Sequence, residues 1–286
     1  MNRVIQIIRA DVMGYCMGVR RAVQAAEEAL LDTPLRPVYT YGPLIHNPVA
    51  LERLEKAGVV VIGEGYEPVP DDFGGKTVIL RAHGIPPAER QELKRRKAVI
   101  VDATCPRVIS SQKRAKKYFD DGFSVFLAGD RAHGEMTSIS GYAPGSVIFQ
   151  NAEEVEQHQD WPEKAVLLCQ TTMKQSEYDS IATALAHHVP QLLVLKTICP
   201  ATEERQQALA ELSAQVDGII VIGGKSSANT VRLYLSAKAL CPNAWHIETE
   251  NDIPQEARSL ERIGLTAGAS TPEDVVDAVE KALQKE

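Results

Sequence analysis

Cys16, Cys105, Cys169, Cys199 and Cys241 are the residues of this 286-residue chain with the most reactive chemistry. Their number is odd and no two form a C-x-x-C pair, which argues against a zinc ribbon, a thioredoxin-like motif or a disulfide scaffold. The opening segment MNRVIQIIRADVMGYC has no long apolar region and no small-residue cleavage site, so a reducing cytoplasm with free thiols is expected. Three of the cysteines share a pattern. Cys105 lies 89 positions after Cys16, and Cys199 lies 94 after Cys105. Each follows a run rich in Val, Ile or Leu and precedes an amphipathic stretch, with Pro106 and Pro200 at a first helical position. Three convergent thiolates suit a soft metal or an iron–sulfur cluster. With three ligands rather than four, one iron of a cubane stays open as a Lewis acid and electron source. Cys169 and Cys241 match no such junction and are expected to be small buried side chains.

A second set of side chains keeps the same rhythm. Counted from the cysteine of its own third, His46 lies at +30, and His133 and Ser227 lie at +28. Further on, His83 lies at +67, Thr171 and Thr172 at +66 and +67, and Ser270 at +71. Histidines can donate to an anion or carry a proton. Thr171, Thr172, Ser226, Ser227, Asn229 and Ser270 offer short donors, and helix-opening loops add backbone N–H groups. Glu135 is the only carboxylate in these loops, which suggests a general acid. His158, His187, His188 and His246 fit no repeat position and are expected at the surface or in packing. The stretch GGKSSANT is no P-loop, because position 219 is Ile rather than Gly; G-x-G-x-x-G and H-E-x-x-H motifs are absent. Lys113, Arg114, Lys116 and Lys117 read as a solvated helix face.

These groups must be carried by elements that end at one place. Short apolar runs alternate with longer amphipathic stretches, the pattern of parallel strands with covering helices. In open α/β sheets ligands bind at the carboxyl ends of strands. Length alone suggests two domains, but the repeat divides the chain into three α/β units. Their expected bounds are 17–104, 105–197, and 198–286 joined by an N-terminal strand from 1–16. A net charge of −7 with 5% aromatic residues argues against nucleic-acid binding. No apolar run approaches a membrane span. In so acidic a chain an anionic ligand needs a local site.

In order, the segments GYCMGVRRAV, HNPVALERLEKAGV, RAHGIP, DATCP, HGE, QTT, TICPAT, GGKSSANTVRL and TAGASTPE resemble the 4-hydroxy-3-methylbut-2-enyl diphosphate reductase (LytB) family over nearly the whole chain. The resemblance implies a trefoil of three pseudo-equivalent α/β domains, with mostly parallel sheets, around a central 4Fe-4S cluster. Cys16, Cys105 and Cys199 would hold it, with one iron open. It also implies an allylic diphosphate substrate bound by His46, His83, His133, Thr171, Ser226, Ser227, Asn229 and Ser270. Glu135, with Thr171 and His133, would manage protons as the allylic hydroxyl leaves as water, giving isopentenyl and dimethylallyl diphosphates. Ferredoxin or flavodoxin would supply electrons. Two departures stand out. The family's Asn-Ser-Ser-Asn is Ser226-Ser227-Ala228-Asn229 here, a lost hydroxyl worth about 1.5–3 kcal/mol if it met a charge. The family's His-Pro-Glu is His133-Gly134-Glu135, and Gly is expected to loosen the loop carrying the acid. They leave open a diverged paralogue reducing another small anion, or a non-enzymatic iron–sulfur sensor.

Overall fold

The computed structural model describes residues 5–284. The chain begins with β1 (Gln6–Arg9), α1 (Met17–Asp32), β2 (Val38–Tyr41), α2 (Pro48–Lys56), β3 (Val59–Ile62), β4 (Thr77–Leu80), α3 (Pro87–Arg95) and β5 (Val99–Asp102). It continues with α4 (Pro106–Asp120), β6 (Ser124–Ala128), α5 (Gly134–Ser140), β7 (Val147–Phe149), α6 (Ala152–Gln157), β8 (Lys164–Cys169), α7 (Gln175–His188) and β9 (Gln191–Val194). It ends with α8 (Pro200–Ser213), β10 (Gly218–Ile222), α9 (Ala228–Leu240), β11 (Ala244–Ile247), β12 (Arg262–Ala267) and α10 (Glu273–Gln284).

The strands form three four-stranded sheets with the orders β3-β2-β4-β5, β7-β6-β8-β9 and β11-β10-β12-β1. Every pairing is parallel. The fold is an α/β trefoil. In the third sheet β1 takes the edge that β5 and β9 take in the others. Each edge strand therefore runs into a cysteine and then a helix: β1 into Cys16, β5 into Cys105 and β9 into Cys199.

Parallel strands covered on both faces read as unbroken apolar runs. All five residues of β10, Gly-Ile-Ile-Val-Ile, are buried. Its Ile220 and Ile222 share a core with Val275, Val276, Val279 and Leu283 of α10. Ile219 and Val221 face the other way, onto Leu209 and Leu212 of α8 and Leu233 of α9. The spacing of those four α10 residues makes one apolar helix face. Cys169 is buried in β8, bonded to Thr197, and Cys241 is buried at the end of α9, as expected for packing cysteines. His158 and His188 pack against Trp161, and His246 bonds the Gly223 carbonyl. On α4, Lys116 and Lys117 pair with Asp120 and Asp121, a solvated face. Among the described residues no helix is long and apolar enough to cross a membrane.

Candidate active site

Cys16, Cys105 and Cys199 are the N-cap residues of α1, α4 and α8. An N-cap Ser or Asp would spend its side chain on the helix; these thiols make no cap bond and line one shared cavity instead. Each cysteine N–H is held by the segment that leaves the adjacent strand of its own sheet, β12, β4 and β8 in turn. Cys16 donates to Ala269 (3.1 Å), Cys105 to Ala82 (2.9 Å) and Cys199 to Thr171 (2.8 Å). Those carbonyls adjoin or belong to Ser270, His83 and Thr171, so one backbone bond per unit ties a thiol to the polar groups. Helix α1 needs Gly18 here, since a Cβ would lie 2.8 Å from the Cys105 sulfur. All three thiols are free. Burial pushes the Cys105 thiol up, the backbone N–H groups of Arg107 and Val108 pull it down, and Cys16 and Cys199 push it up further.

The chemistry around the thiols fits an anionic cluster. Arg205 is buried, donates to Gly14 (2.8 Å) and Ala201 (3.2 Å), and leaves its Nε without a partner among the described residues. Burial lowers its pKa, while Cys16 and Cys199 act against that. A buried guanidinium requires negative charge nearby, and three thiolates around iron would provide it.

The histidines form a second group in the same cavity. Ring centroids lie 5.1 Å apart for His46 and His83, 4.7 Å for His83 and His133, and 6.2 Å for His46 and His133. Burial is the first cause of their low pKa values. It lowers His46, drives His83 well below the usual range, and takes His133 to about 4. Arg81 adds to the lowering in all three. His133 Nδ1 accepts the Glu135 N–H at 3.2 Å, so the neutral ring carries its hydrogen on Nε2. His83 Nδ1 and Asn229 Nδ2 are buried without partners among the described residues. Buried polar groups normally find one, and an anion in the cavity would supply it. The histidine ligand atoms lie within 4.8 Å of one another, close enough to hold a cation; the positive charge of Arg81 beside them favours an anion.

Glu135 is 1% exposed. It lies in the first turn of α5, with His133 as N-cap, rather than in an open loop. Thr171 holds both carboxyl oxygens, its N–H donating to Oε1 at 2.7 Å and its hydroxyl to Oε2 at 2.8 Å. Burial raises the Glu135 pKa to about 7, against the Thr171 bonds and Arg232. A carboxyl tuned to neutral pH can deliver a proton.

The cavity also brings in Thr171, Thr172, Ser227, Asn229 and Ser270. Ser270 donates to the His46 carbonyl at 3.0 Å, and the Ser227 hydroxyl caps α9 by accepting the Thr230 N–H at 3.4 Å. Ser226 is exposed and lies outside the lining. Arg81, Arg205, Arg232 and Thr202 were not marked by the sequence pattern. Arg232 donates to the Thr172 carbonyl and hydroxyl at 3.2 and 3.3 Å, and Thr202 to the Thr171 carbonyl at 3.3 Å. Only the Arg-Ala-His order around His83 gave a signal for Arg81.

The sequence profile described as LytB protein matches residues 7–284. A Treponema denticola protein named 4-hydroxy-3-methylbut-2-enyl diphosphate reductase is 48% identical over 284 residues, covering 96% of this chain and 98% of that protein. One of the same name from Aquifex aeolicus is 36% identical over 288 residues, covering 99% and 97%. A solved structure of (E)-4-hydroxy-3-methyl-but-2-enyl diphosphate reductase, described as the terminal enzyme of the non-mevalonate pathway, superposes with a TM-score of 0.73 at 35% identity, covering 99% of this chain and 100% of that one. The Plasmodium falciparum reductase structure gives 0.87 at 29% identity, covering 98% and 88%. The chain belongs to the LytB family.

Proposed function

We propose that this chain reduces 4-hydroxy-3-methylbut-2-enyl diphosphate to isopentenyl and dimethylallyl diphosphates. The observation that carries this reading is one cavity lined by three free thiols, three histidines and Glu135. Cys16, Cys105 and Cys199 would hold a 4Fe-4S cluster. When bound, that cluster would supply the electrons and Lewis acidity for loss of the hydroxyl. The diphosphate is bound by His46, His83 and His133, with Ser227, Asn229 and Ser270. Leu44, Ile45 and Val108 give the short carbon chain an apolar wall. Glu135, with Thr171 positioning its carboxyl, delivers a proton to the departing hydroxyl. His133 keeps its Nδ1 on the Glu135 N–H and offers Nε2–H to phosphate.

The balance is simple. The allylic C–O bond breaks, two electrons and two protons enter, and water leaves. One proton goes to the oxygen and one to either end of the allyl unit. The electrons come from a ferredoxin or flavodoxin in the cytoplasm. The chain divides into three units, 17–104, 105–197 and 198–286 with 1–16, a reading supported by the membership of the three sheets. Anaerobic reconstitution with iron and sulfide tests the function. The expected result is a brown protein that turns over the diphosphate with a reduced viologen dye. A colourless protein, or a brown one without turnover, overturns it.

A further inference from the structure

Arg81 is an oddity of the site. It is 3% exposed, at the end of β4, two residues before His83. A guanidinium so deep needs a carboxylate, and Glu64 provides one. Glu64 takes both terminal nitrogens, Nη2 at 2.5 Å and Nη1 closer still. The turn that brings Glu64 there is unusual. Gly63, Glu64 and Gly65 all have positive φ, at 74°, 52° and 86°. A non-Gly residue held in that region is a local cost that persists where the surroundings require it. Glu89, hydrogen-bonded to Tyr41, lies within electrostatic reach of both Arg81 and Glu64. Arg81 Nε has no partner among the described residues.

The guanidinium is clamped between two distant glycines, Gly42 just after β2 and Gly134 at the start of α5. A Cβ on Gly42 would lie 2.8 Å from Nη1, and one on Gly134 would lie 2.7 Å from Cζ. Gly42 has φ +69°, so its backbone alone accounts for glycine. Gly134 has no positive φ, so space is the reason glycine stands there. The expectation that Gly134 loosens the acid loop is therefore corrected: the missing side chain is replaced by a guanidinium packed against the peptide between His133 and Glu135.

We propose that Arg81 is the fixed cation of the anion pocket and the positioning residue of the His133-Gly134-Glu135 segment, with Glu64 setting how much of its charge reaches the pocket. The proposal rests on reading this cavity as a diphosphate site. Neutral imidazoles can donate hydrogen bonds to an anion but bring no net charge. Arg81 supplies permanent positive charge next to all three histidines. Its planar face restrains the residue between the proton donor and the phosphate-binding histidine. Lys would keep the charge and lose the plane.

The test uses cluster-loaded protein, inorganic pyrophosphate titrated by calorimetry, and steady-state turnover of the diphosphate with a reduced viologen dye. Arg81→Met is expected to weaken pyrophosphate at least tenfold and to raise KM similarly. Arg81→Lys should recover most of the pyrophosphate affinity while kcat stays several-fold low. Glu64→Gln, at a half-exposed position, should tighten pyrophosphate about threefold by releasing the charge. Arg81→Ala should also suppress the damage done by Gly134→Ala, because the added methyl then meets no guanidinium. Pyrophosphate affinity within twofold of wild type in folded Arg81→Met overturns the proposal. If Arg81→Met does not fold, unchanged affinity in Glu64→Gln overturns it. If wild-type protein itself binds no pyrophosphate, the reading of the cavity fails instead.

Discussion

Two sets of groups lining the cavity, two walls of it, have opposite chemistry and the same charge. The histidine wall is basic by type, yet burial takes His133 to about 4 and drives His83 well below the usual range, so its rings are neutral at pH 7. The wall of Glu135 and Thr171 is acidic by type, yet burial lifts Glu135 to about 7, so much of it holds its proton. Desolvation disfavours charge of either sign and moves acids and bases in opposite directions. Just below pH 7 both walls are therefore largely uncharged, and the local charge rests on arginines. An arriving diphosphate changes the walls unequally. It favours protons on the histidines, and it raises Glu135 further. Substrate entry should load protons onto the groups that face it.

The largest test of this contrast is Glu135→Gln. It removes the proton but keeps the shape, so kcat should fall by about 10²–10⁴-fold while pyrophosphate affinity changes less than twofold. A matching loss of affinity would mean the two walls are not separate in function. Next is His83→Gln, which alters the other wall. Pyrophosphate should weaken about tenfold, as read by calorimetry, with a smaller drop in kcat.

A pH profile sharpens the comparison further. The folded pKa of Glu135 lies above its value in the unfolded chain, so the carboxylic acid is the species present below about 7. Its contribution to stability is complete below the unfolded value and declines as pH rises through about 7. In the same range kcat should fall with rising pH. Thr171→Val removes a hydroxyl bond that favours the carboxylate, so the falling limb should move to higher pH. A limb that moves to lower pH would sink the assignment. The smallest effect expected is Ser270→Ala, which loses one hydrogen bond to the His46 carbonyl and costs about 0.5–1.5 kcal/mol in thermal unfolding.

The thiol set was legible because its signal is local. A strand, a cysteine and a helix start follow one another within a few residues, and the three copies reinforce each other. The histidines and hydroxyls followed from their offsets to those cysteines. Arg81, Arg205 and Arg232 were not legible, because a buried arginine is defined by what converges on it from distant segments. Arg205 meets Gly14 across 191 positions, and Arg81 is packed by Gly42 after β2 and Gly134 at the start of α5. Ser226 shows the converse. It shares a run with Ser227, but the turn into α9 places one residue inside and its neighbour in solvent. Gly134 was misjudged for the same reason, since glycine reads locally as freedom and here serves as room.

The edge position of β1 carries a further consequence. It pairs with β12, 256 residues later, from Gln6 opposite Arg262. During synthesis the first strand leaves the ribosome with no partner, while the sheets of β2–β5 and β6–β9 can close on their own segments. Cys16 is anchored through Ala269 and so finds its place only when the chain is almost finished. Loading of a metal group that needs all three thiols must then follow translation, and a stalled or shortened chain would be left unable to hold it.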